Sequence, residues 1–291
     1  MQYDLKTMAT AEDKSIIIMA IVNLTDDSFY PGSRCLAEGG TFDGEGFRLR
    51  VRNMVKEGAG ILDLGACSTR PGSRSVSEEE EWERLRPGLL AVAEECPGVR
   101  ISIDTFRPAI VSRAYDLIGP FIVNDVSGGC ADMWSTVGEL GLEYVAMHTR
   151  GTPETMQQLT EYDDVTLEVI RFFDTIAETA DRYGVKDWIL DPGFGFAKTV
   201  EQNWALLREM DRFGKFGKRI LAGLSRKSFL YKPLGITPDD ALTATQIADF
   251  IALDKGADIL RVHDVAEASR TIKLFRLYRY SSGGSSSQKP V

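Results

Sequence analysis

The sequence predicts a single α/β domain with the (β/α)8 architecture, the TIM barrel. Eight short apolar segments alternate with eight helical patterns along the 291 residues, as a parallel barrel requires. Nearly every apolar segment ends on a polar residue, and barrels build their sites at strand ends. No linker rich in Gly, Pro or Ser divides the chain, which favours one barrel over two domains. A doubly wound open sheet is the alternative, although no first strand is followed by GxGxxG spacing.

The predicted strands are short runs of apolar and β-branched residues. They cover residues 16–22, 61–64, 99–104, 121–124, 143–147, 188–191, 219–223 and 258–262. The sixth is the clearest, because the apolar run WIL ends on Asp191. Gly193 and Gly195 then follow, and glycines at this point allow backbone and ligand to approach closely.

The predicted helices follow the strands. They cover residues 43–57, 78–95, 108–116, a short segment ending at 140, 165–183, 200–213, 239–255 and 263–275. Ser77 and Glu80 have the spacing of a capping box, which predicts the start of the second helix. Residues 1–14 are expected to be a polar leader, 15–279 the barrel, and 280–291 a disordered tail of SSGGSSSQKP composition.

Composition limits the classes of function. Acidic residues outnumber basic ones by 43 to 34, so the chain offers no basic surface for nucleic acid. The four cysteines are scattered and only two histidines occur, which argues against a disulfide framework or a zinc site and favours a cytoplasmic location. No apolar run approaches the roughly 20 residues of a membrane helix, and the first residues lack the apolar centre of a signal peptide.

The polar residues at the strand ends fall into two groups. Because the carboxyl ends of barrel strands converge on one face, these residues should surround a common site. Asp104, Asn124 and Asp191 offer acceptors, and carboxylates pair with the adjacent N–H groups of an aminopyrimidine-type ring. This first group therefore predicts a polar heterocycle as ligand.

The second group offers hydrogen-bond donors for an anion such as phosphate. It comprises Asn23, Arg70, Ser225, Arg261 and His263, from strands or loops that are neighbours around a closed barrel. Asn23, with Asp27 nearby, could also hold a hydrated Mg²⁺, which takes few protein oxygens.

A structural explanation is open for single members of both groups. Each could be a cap or turn residue: Asp27 a turn acid, His263 a buried structural histidine, and Lys227 a solvated loop charge. No Ser/His/Asp or Cys/His triad is evident, and Cys67 is not favoured as a nucleophile. A mouth in which all of these polar groups were only caps would be costly to desolvate.

Eight motifs, in this order, resemble the dihydropteroate synthase family over about residues 15–275: IMAIVNLTDDSF, ILDLGACSTRPGS, ISIDTF, IVNDVSGG, VAMHTRGTP, ILDPGFGFAK, LAGLSRKSF and GADILRVHDV. The resemblance implies a (β/α)8 barrel that joins p-aminobenzoate to 6-hydroxymethyl-7,8-dihydropterin diphosphate. The products would be 7,8-dihydropteroate and diphosphate, in folate synthesis. It also implies Mg²⁺ as cofactor and a homodimer, since family members are generally dimers.

The resemblance assigns roles to individual residues. The pterin positions are matched by Asp104, Asn124, Met147, Asp191, Gly223 and Lys227. The diphosphate positions are matched by Asn23, Thr69, Arg70, Ser225, Arg261 and His263, with Asn23 as the metal ligand. The p-aminobenzoate positions are matched by Phe29, Thr69, Pro71, Phe196, Lys227 and Ser228. The residues expected to act in catalysis are Asn23, Asp27, Lys227, Arg261 and His263.

Two departures from the family pattern lie in loops. Asp26 stands where the family usually has Pro, and the run Gly65, Ala66, Cys67, Ser68 and Thr69 stands where it commonly has Gly-Gly-Glu-Ser-Thr. These changes put the loop geometry in question. The loops 23–40 and 66–75 are long and rich in turn residues, and we expect them to close over the diphosphate.

Two other functions remain open at this point. A methyltransferase that moves a methyl group from methyltetrahydrofolate to a corrinoid protein has a similar barrel but no diphosphate to hold. A non-catalytic pterin-binding subunit should have lost an anion ligand. The presence of Asn23, the Ser-Arg-Lys motif and the Arg-Val-His motif together favours the synthase.

Overall fold

The computed structural model describes residues 16–24, 43–67, 76–152 and 155–280. Eight parallel strands form a closed barrel in which each strand pairs with the next in sequence and the last pairs with the first. They are β1 (Ile17–Asn23), β2 (Ala59–Gly65), β3 (Arg100–Asp104), β4 (Ile122–Asp125), β5 (Glu143–Met147), β6 (Trp188–Asp191), β7 (Arg219–Ala222) and β8 (Ile259–Val262). The predicted barrel is confirmed, and the open-sheet alternative is wrong.

Helices pack around the outside of the barrel. They are α1 (Gly44–Glu57), α2 (Glu78–Glu95), α3 (Pro108–Ile118), α4 (Ala131–Leu140), α5 (Val165–Arg182), α6 (Val200–Arg208), α7 (Ser228–Tyr231), α8 (Leu242–Asp254) and α9 (Val265–Tyr280). The start of α2 is as predicted, because Ser77 Oγ accepts a hydrogen bond from the Glu80 N–H at 3.2 Å. Across the described ranges, no helix combines the length and apolarity needed to cross a membrane.

The prediction of one helix over residues 200–213 is wrong. The α-helix α6 ends at Arg208, and the chain continues as a 3₁₀ helix over Met210–Phe216. Met210 and Phe213 are both fully buried, and their spacing of three residues suits either kind of helix. The apolar period alone therefore could not reveal where the α-helix ends.

The last quarter of the chain differs from prediction in two further places. The short helix α7 follows β7 and was not predicted, because four residues are too few to show a helical period. Helix α9 continues beyond residue 275 to Tyr280, the first residue of the predicted tail. The remainder of that tail and the predicted leader lie outside the described residues.

The inside of the barrel is layered. Seven strands each contribute one buried side chain to an apolar floor, formed by Met19, Ile61, Ile122, Val145, Ile189, Leu221 and Ile259. Side chains alternate along a strand, so a residue two positions later points to the same interior. This rule places Asp63, Asn124 and Asp191 one layer above the floor, toward the carboxyl ends of their strands. The floor thus lies directly below a polar mouth.

The opposite mouth of the barrel is closed by ion pairs. Glu143, the first residue of β5, pairs with Arg100 of β3 and with Arg219 of β7. The single Glu143 carboxylate receives both guanidinium groups there. The residues at this end of the barrel therefore stabilise the fold, as is usual for the amino-terminal face.

Candidate functional site

Asp63 lies in the middle of the polar mouth and is only 1% exposed. Its Oδ1 accepts a hydrogen bond from Ser102 Oγ at 2.6 Å. Its Oδ2 accepts from Asn124 Nδ2 at 3.1 Å and from Arg261 Nε at 2.7 Å. A buried carboxylate needs such partners. Because the Asn124 nitrogen is used in this way, the amide oxygen of Asn124 is the group that can accept from a ligand.

Arg261 connects the two groups of residues that were predicted separately. Besides its bond to Asp63, its Nη2 donates to Asp104 Oδ2 at 2.9 Å. Burial lowers the pKa of Arg261, but the Asp63 and Asp104 carboxylates outweigh it and the net shift is upward. Burial raises the pKa of Asp104, and the Arg261 charge opposes that shift. Asp104, which was predicted to bind the heterocycle, is thus bonded to Arg261, which was predicted to bind the anion.

Asp191 ends β6, beside Met147 at the end of β5. It is 7% exposed, and its Oδ1 accepts a hydrogen bond from the Gly193 N–H at 2.8 Å. Burial raises the pKa of Asp191, and the positive charge of Lys227 is the main opposing influence, followed by that N–H and by Arg261. The two cations therefore act on Asp191 within the same mouth.

Lys227 approaches from the loop after β7. Its Nζ donates to Phe194 O and lies 4.4 Å from the centroid of the Phe196 ring. Burial lowers the pKa of Lys227 to about 8, while the Asp191 carboxylate opposes the shift. Gly195, with φ of 80°, leaves room for this side chain, because a Cβ there would lie 2.8 Å from Lys227 Cδ. Lys227 therefore lies against an aromatic wall while its charge acts on the buried Asp191 carboxylate.

Ser225 and His263 form a contact between the loops after β7 and β8. His263 Nδ1 lies 3.0 Å from Ser225 Oγ, which also accepts the His263 backbone N–H at 3.3 Å. Burial lowers the pKa of His263 to about 4, and the Arg261 charge acts in the same direction. His263 is therefore neutral at pH 7 and can offer an N–H to an anion, whereas the positive charge comes from Arg261.

Lys198 is a buried lysine in the loop after β6, with 6% of its surface exposed. Its Nζ lies 3.0 Å from Gly193 O, 3.1 Å from Phe196 O and 3.0 Å from His148 Nδ1. Burial lowers the pKa of Lys198 to about 7, with Asp191 opposing, and burial also lowers the pKa of His148 to about 2. The neutral imidazole can accept from the ammonium, so Lys198 ties the loop after β6 to the end of β5.

The chain matches the sequence model of a family described as pterin binding enzyme over residues 19–263. It is 39% identical, over 267 residues, to a dihydropteroate synthase from Synechocystis, a match that covers 90% of this chain and 89% of the relative. The chain belongs to the dihydropteroate synthase family of pterin-binding enzymes.

Solved dihydropteroate synthases share the fold over nearly the whole chain. One from Thermus thermophilus, in complex with 4-aminobenzoate, is 37% identical with a TM-score of 0.78, covering 90% of this chain and 93% of that one. Another from Yersinia pestis, in complex with a sulfonamide drug, is 30% identical with a TM-score of 0.84, covering 96% and 97%. The predicted family and its class of activity, a transferase of folate biosynthesis, are confirmed. These relatives lend no support to the methyltransferase or the non-catalytic subunit.

The residues that the resemblance predicts for the site, where the structure describes them, gather at the polar mouth or in the loops around it. They are Asn23, Asp104, Asn124, Met147, Asp191, Phe196, Gly223, Ser225, Lys227, Ser228, Arg261 and His263. Asn23 ends β1 next to Gly65, Gly223 directly follows β7, and Ser228 begins α7. The other predicted positions, Asp27, Phe29, Thr69, Arg70 and Pro71, lie outside the described residues, so their roles remain predictions.

Two residues at the polar mouth were not predicted as members of the site. Asp63 had a readable signal, because alternation along the strand ILDLG places it on the same face as Ile61 and Gly65. Lys198 had none, because a lysine just before a helix is ordinarily solvated, and its burial depends on the path of the loop after β6.

Proposed function

We propose that the chain joins p-aminobenzoate to 6-hydroxymethyl-7,8-dihydropterin diphosphate, forming 7,8-dihydropteroate and releasing diphosphate. The observation that carries the proposal is one barrel mouth in which the acceptors Asp191 and Asn124 share an opening with the cation Arg261. A flat polar ring with an anionic tail matches that arrangement of acceptors and charge. Membership of the dihydropteroate synthase family supports the same reaction.

The pterin ring is proposed to bind deepest in the mouth, above the apolar floor. The Asp191 carboxylate would accept from the ring N–H groups, and the Asn124 amide oxygen offers a further acceptor. Lys227 supplies the complementary donor. Met147 and Gly223 follow apolar residues of β5 and β7 and would line the slot without adding charge.

The diphosphate is proposed to lie on the β8 side of the mouth. Arg261 provides the positive charge there, while Ser225 and the neutral His263 spend one proton on their own hydrogen bond and leave one donor for the anion. Arg261 is already neutralised in part by Asp63 and Asp104. These carboxylates hold the guanidinium in place before a ligand arrives, which reduces the reorganisation needed on binding.

p-Aminobenzoate is proposed to bind nearer the surface, where Phe196, Lys227 and Ser228 meet. The Phe196 ring provides a flat wall, and the Lys227 side chain lies against it. Ser228 begins α7, next to Lys227. The remaining predicted contacts, Phe29, Thr69 and Pro71, would complete this pocket.

The chemistry asks for positioning and charge more than for acid or base groups. The bond between the pterin methylene carbon and the diphosphate oxygen breaks, and diphosphate leaves with the electron pair. The amine nitrogen of p-aminobenzoate forms the new bond to that carbon and loses a proton to water. Arg261 stabilises the charge that grows on the leaving oxygen, and the pocket holds the amine in line with the carbon.

Asn23 is proposed to contribute to binding of Mg²⁺. This ion takes oxygen ligands, keeps several waters and usually binds through one or two protein groups together with substrate phosphates. In the part of the chain that the structure describes, no group of three or more His, Cys, Asp or Glu could hold a metal. The Asn23 amide oxygen would be a protein ligand of the ion, which when bound would offset part of the diphosphate charge.

The protein is proposed to form a homodimer through α8 and α9. Ile247 of α8 and Leu274 and Tyr278 of α9 are 57%, 61% and 61% exposed. The ring of Tyr278 lies 5.5 Å from that of Phe250, so the side chains form one apolar surface across both helices. A second copy of the chain would cover this surface.

A cytoplasmic location is also proposed. Cys67, Cys96 and Cys130 are the cysteines that the structure describes, and all are free thiols, the form that a reducing compartment maintains. Fractionation of the source cells with an antibody to this chain would test the location.

The proposed reaction is tested by direct synthesis. Purified protein is incubated with the pterin diphosphate, p-aminobenzoate and Mg²⁺, and 7,8-dihydropteroate is measured by mass spectrometry. Omission of any component, addition of EDTA, or replacement of Asp191 by Ala should abolish the product. A wild-type protein that binds the pterin diphosphate but forms no dihydropteroate would contradict the proposal.

A further inference from the structure

Arg226 stands between Ser225 and Lys227, and its guanidinium bonds to Asp264, which directly follows His263. Arg226 Nε donates to Asp264 Oδ2 at 2.8 Å, and Nη2 donates to Oδ1 at 2.9 Å. A two-pronged pair of this kind fixes both the distance and the relative orientation of its members. The loop after β7 is therefore held to the loop after β8.

The Arg226–Asp264 pair is shielded from water, with side chains 9% and 15% exposed. Ion pairs in such places depend on good geometry, and removal of one partner leaves the other charge poorly solvated. Arg226 Nη1 also donates to the carbonyl oxygens of Pro238 and Asp239, both at 2.8 Å. The guanidinium thus joins three segments of the chain.

The backbone of Arg226 gives a second, independent observation. Its φ is 54°, in the left-handed region that residues with a Cβ rarely adopt. Its N–H donates to Thr245 Oγ1 of α8 at 3.0 Å. A conformation of this kind persists only where its surroundings hold it, so these contacts determine the path of the loop.

The two loops that this pair joins also carry Ser225 and His263, whose side chains meet at 3.0 Å. The Arg226–Asp264 pair lies one residue further along each loop. Lys227, by contrast, has a separate anchor at Phe194 O. The pair is therefore one residue away from both members of the Ser225–His263 contact, whereas the Lys227 side chain is held by its own bond to Phe194 O.

We propose that Arg226 and Asp264 are positioning residues for the diphosphate half of the site. Their ion pair sets the separation between Ser225 and His263 and so preforms the part of the site that receives diphosphate. Neither Arg226 nor Asp264 is required to touch the ligand. The inference rests on the proposed function and adds residues through which that site is held in shape.

The test compares two ligands that differ only in the anion. The dissociation constants of the pterin diphosphate and of 6-hydroxymethyl-7,8-dihydropterin are measured by calorimetry for wild type, Arg226→Met, Asp264→Asn and the double variant. Each single variant should bind the diphosphate ligand about tenfold more weakly and the plain pterin within about twofold of wild type. The double variant should be no weaker than either single one, since both remove the same contact.

Matched variants separate positioning from general damage. Arg226→Lys keeps the charge and the same backbone demand but loses the two-pronged pairing, so it should fall between wild type and Arg226→Met. Arg212→Met removes an arginine from the exposed pair with Glu209 and should leave both affinities unchanged. Thermal denaturation establishes that each variant is folded, and Asp264→Asn carries the test if Arg226→Met is not.

Equal weakening of both ligands, additive losses in the double variant, or unchanged diphosphate affinity would overturn the inference. Wild-type synthesis of dihydropteroate is measured in parallel. Failure of the proposed function would appear as absence of that product from the wild-type protein. Failure of the positioning role would appear as an unselective effect in an enzyme whose wild type is active.

Discussion

Arg261 both balances two buried carboxylates and offers its charge to the proposed diphosphate. Replacing it by Met would leave Asp63 and Asp104 without their cation. We expect the free energy of unfolding to fall by about 3 kcal/mol, because an uncompensated charge would remain in the barrel. Binding of the pterin diphosphate should weaken much more than binding of the plain hydroxymethylpterin.

A second substitution separates the two effects at Arg261. Adding Asp63→Asn to Arg261→Met removes one orphaned charge, so part of the lost stability should return while diphosphate affinity stays low. Urea denaturation gives the stability and calorimetry gives the affinities. A single Arg261→Met variant as stable as wild type would contradict the ion-pair account.

Lys227 should set the alkaline limit of activity. Its pKa in the free protein is lowered to about 8 by burial, so raising the pH through that value removes the charge beside Asp191. We therefore expect kcat/KM, which reports the free enzyme, to decline above about pH 8. Lys227→Arg keeps its charge at higher pH, so the decline should move upward even if the maximum is lower. A pH–rate profile with the same alkaline limb in both proteins would show that another group titrates.

The path of the loop between β6 and α6 requires glycine at position 193, because any larger side chain would collide with the backbone of His148. A Cβ at Gly193 would lie 1.9 Å from the carbonyl oxygen of His148, and its φ is 69°. Gly193→Ala should therefore displace the loop, weaken pterin binding through Asp191 and lower stability. Gly184 is a matched control, because its φ is 71° but its Cβ would have no neighbour within 4 Å.

Gly184→Ala should cost only the left-handed backbone penalty, about 1 kcal/mol, and leave pterin affinity unchanged. Thermal melts and pterin titrations of the two variants provide the comparison. Similar losses in both would mean that backbone conformation, and not the contact with His148, explains the glycine at 193.

At this scale of elements, the sequence predicted the strands better than the helices. The apolar run WIL, which ends on Asp191, marks a strand end sharply, and β6 has the predicted bounds Trp188–Asp191. The end of α6 was missed because Met210 and Phe213 keep a spacing that continues the helical period into a 3₁₀ segment. The short helix α7 has too few residues for any period to appear.

The surface of α8 and α9 leads to a prediction for the whole molecule. Ile247→Glu combined with Leu274→Glu should convert the proposed dimer to a monomer, because two charges would face the apolar surface of the other copy. Light scattering coupled to size-exclusion chromatography measures the mass. Leu167→Glu, a partly exposed leucine on α5, is the control and should leave the mass unchanged. A wild-type protein that is monomeric at micromolar concentration would refute the dimer.

The residues that form the site could be predicted better than the hydrogen bonds among them. Convergence of strand ends is a property of any barrel, so Asp104, Asn124 and Asp191 could be expected at one mouth. The bonds from Arg261 to Asp63 and Asp104 depend on the register of four strands around a closed ring, which no local pattern encodes. Loop contacts such as Arg226 with Asp264 depend on backbone conformations that the sequence does not reveal.

The buried apolar floor separates the polar mouth from the opposite end of the barrel, so a ligand enters the mouth from the carboxyl ends of the strands. Anything that occupies its depth must arrive before the opening is filled, and must depart after whatever lies above it has gone. The pterin compound is proposed to rest on the floor, and p-aminobenzoate between it and the solvent. Binding should therefore be ordered, with the pterin compound before p-aminobenzoate. If p-aminobenzoate bound first, it would block the pterin compound from reaching the floor.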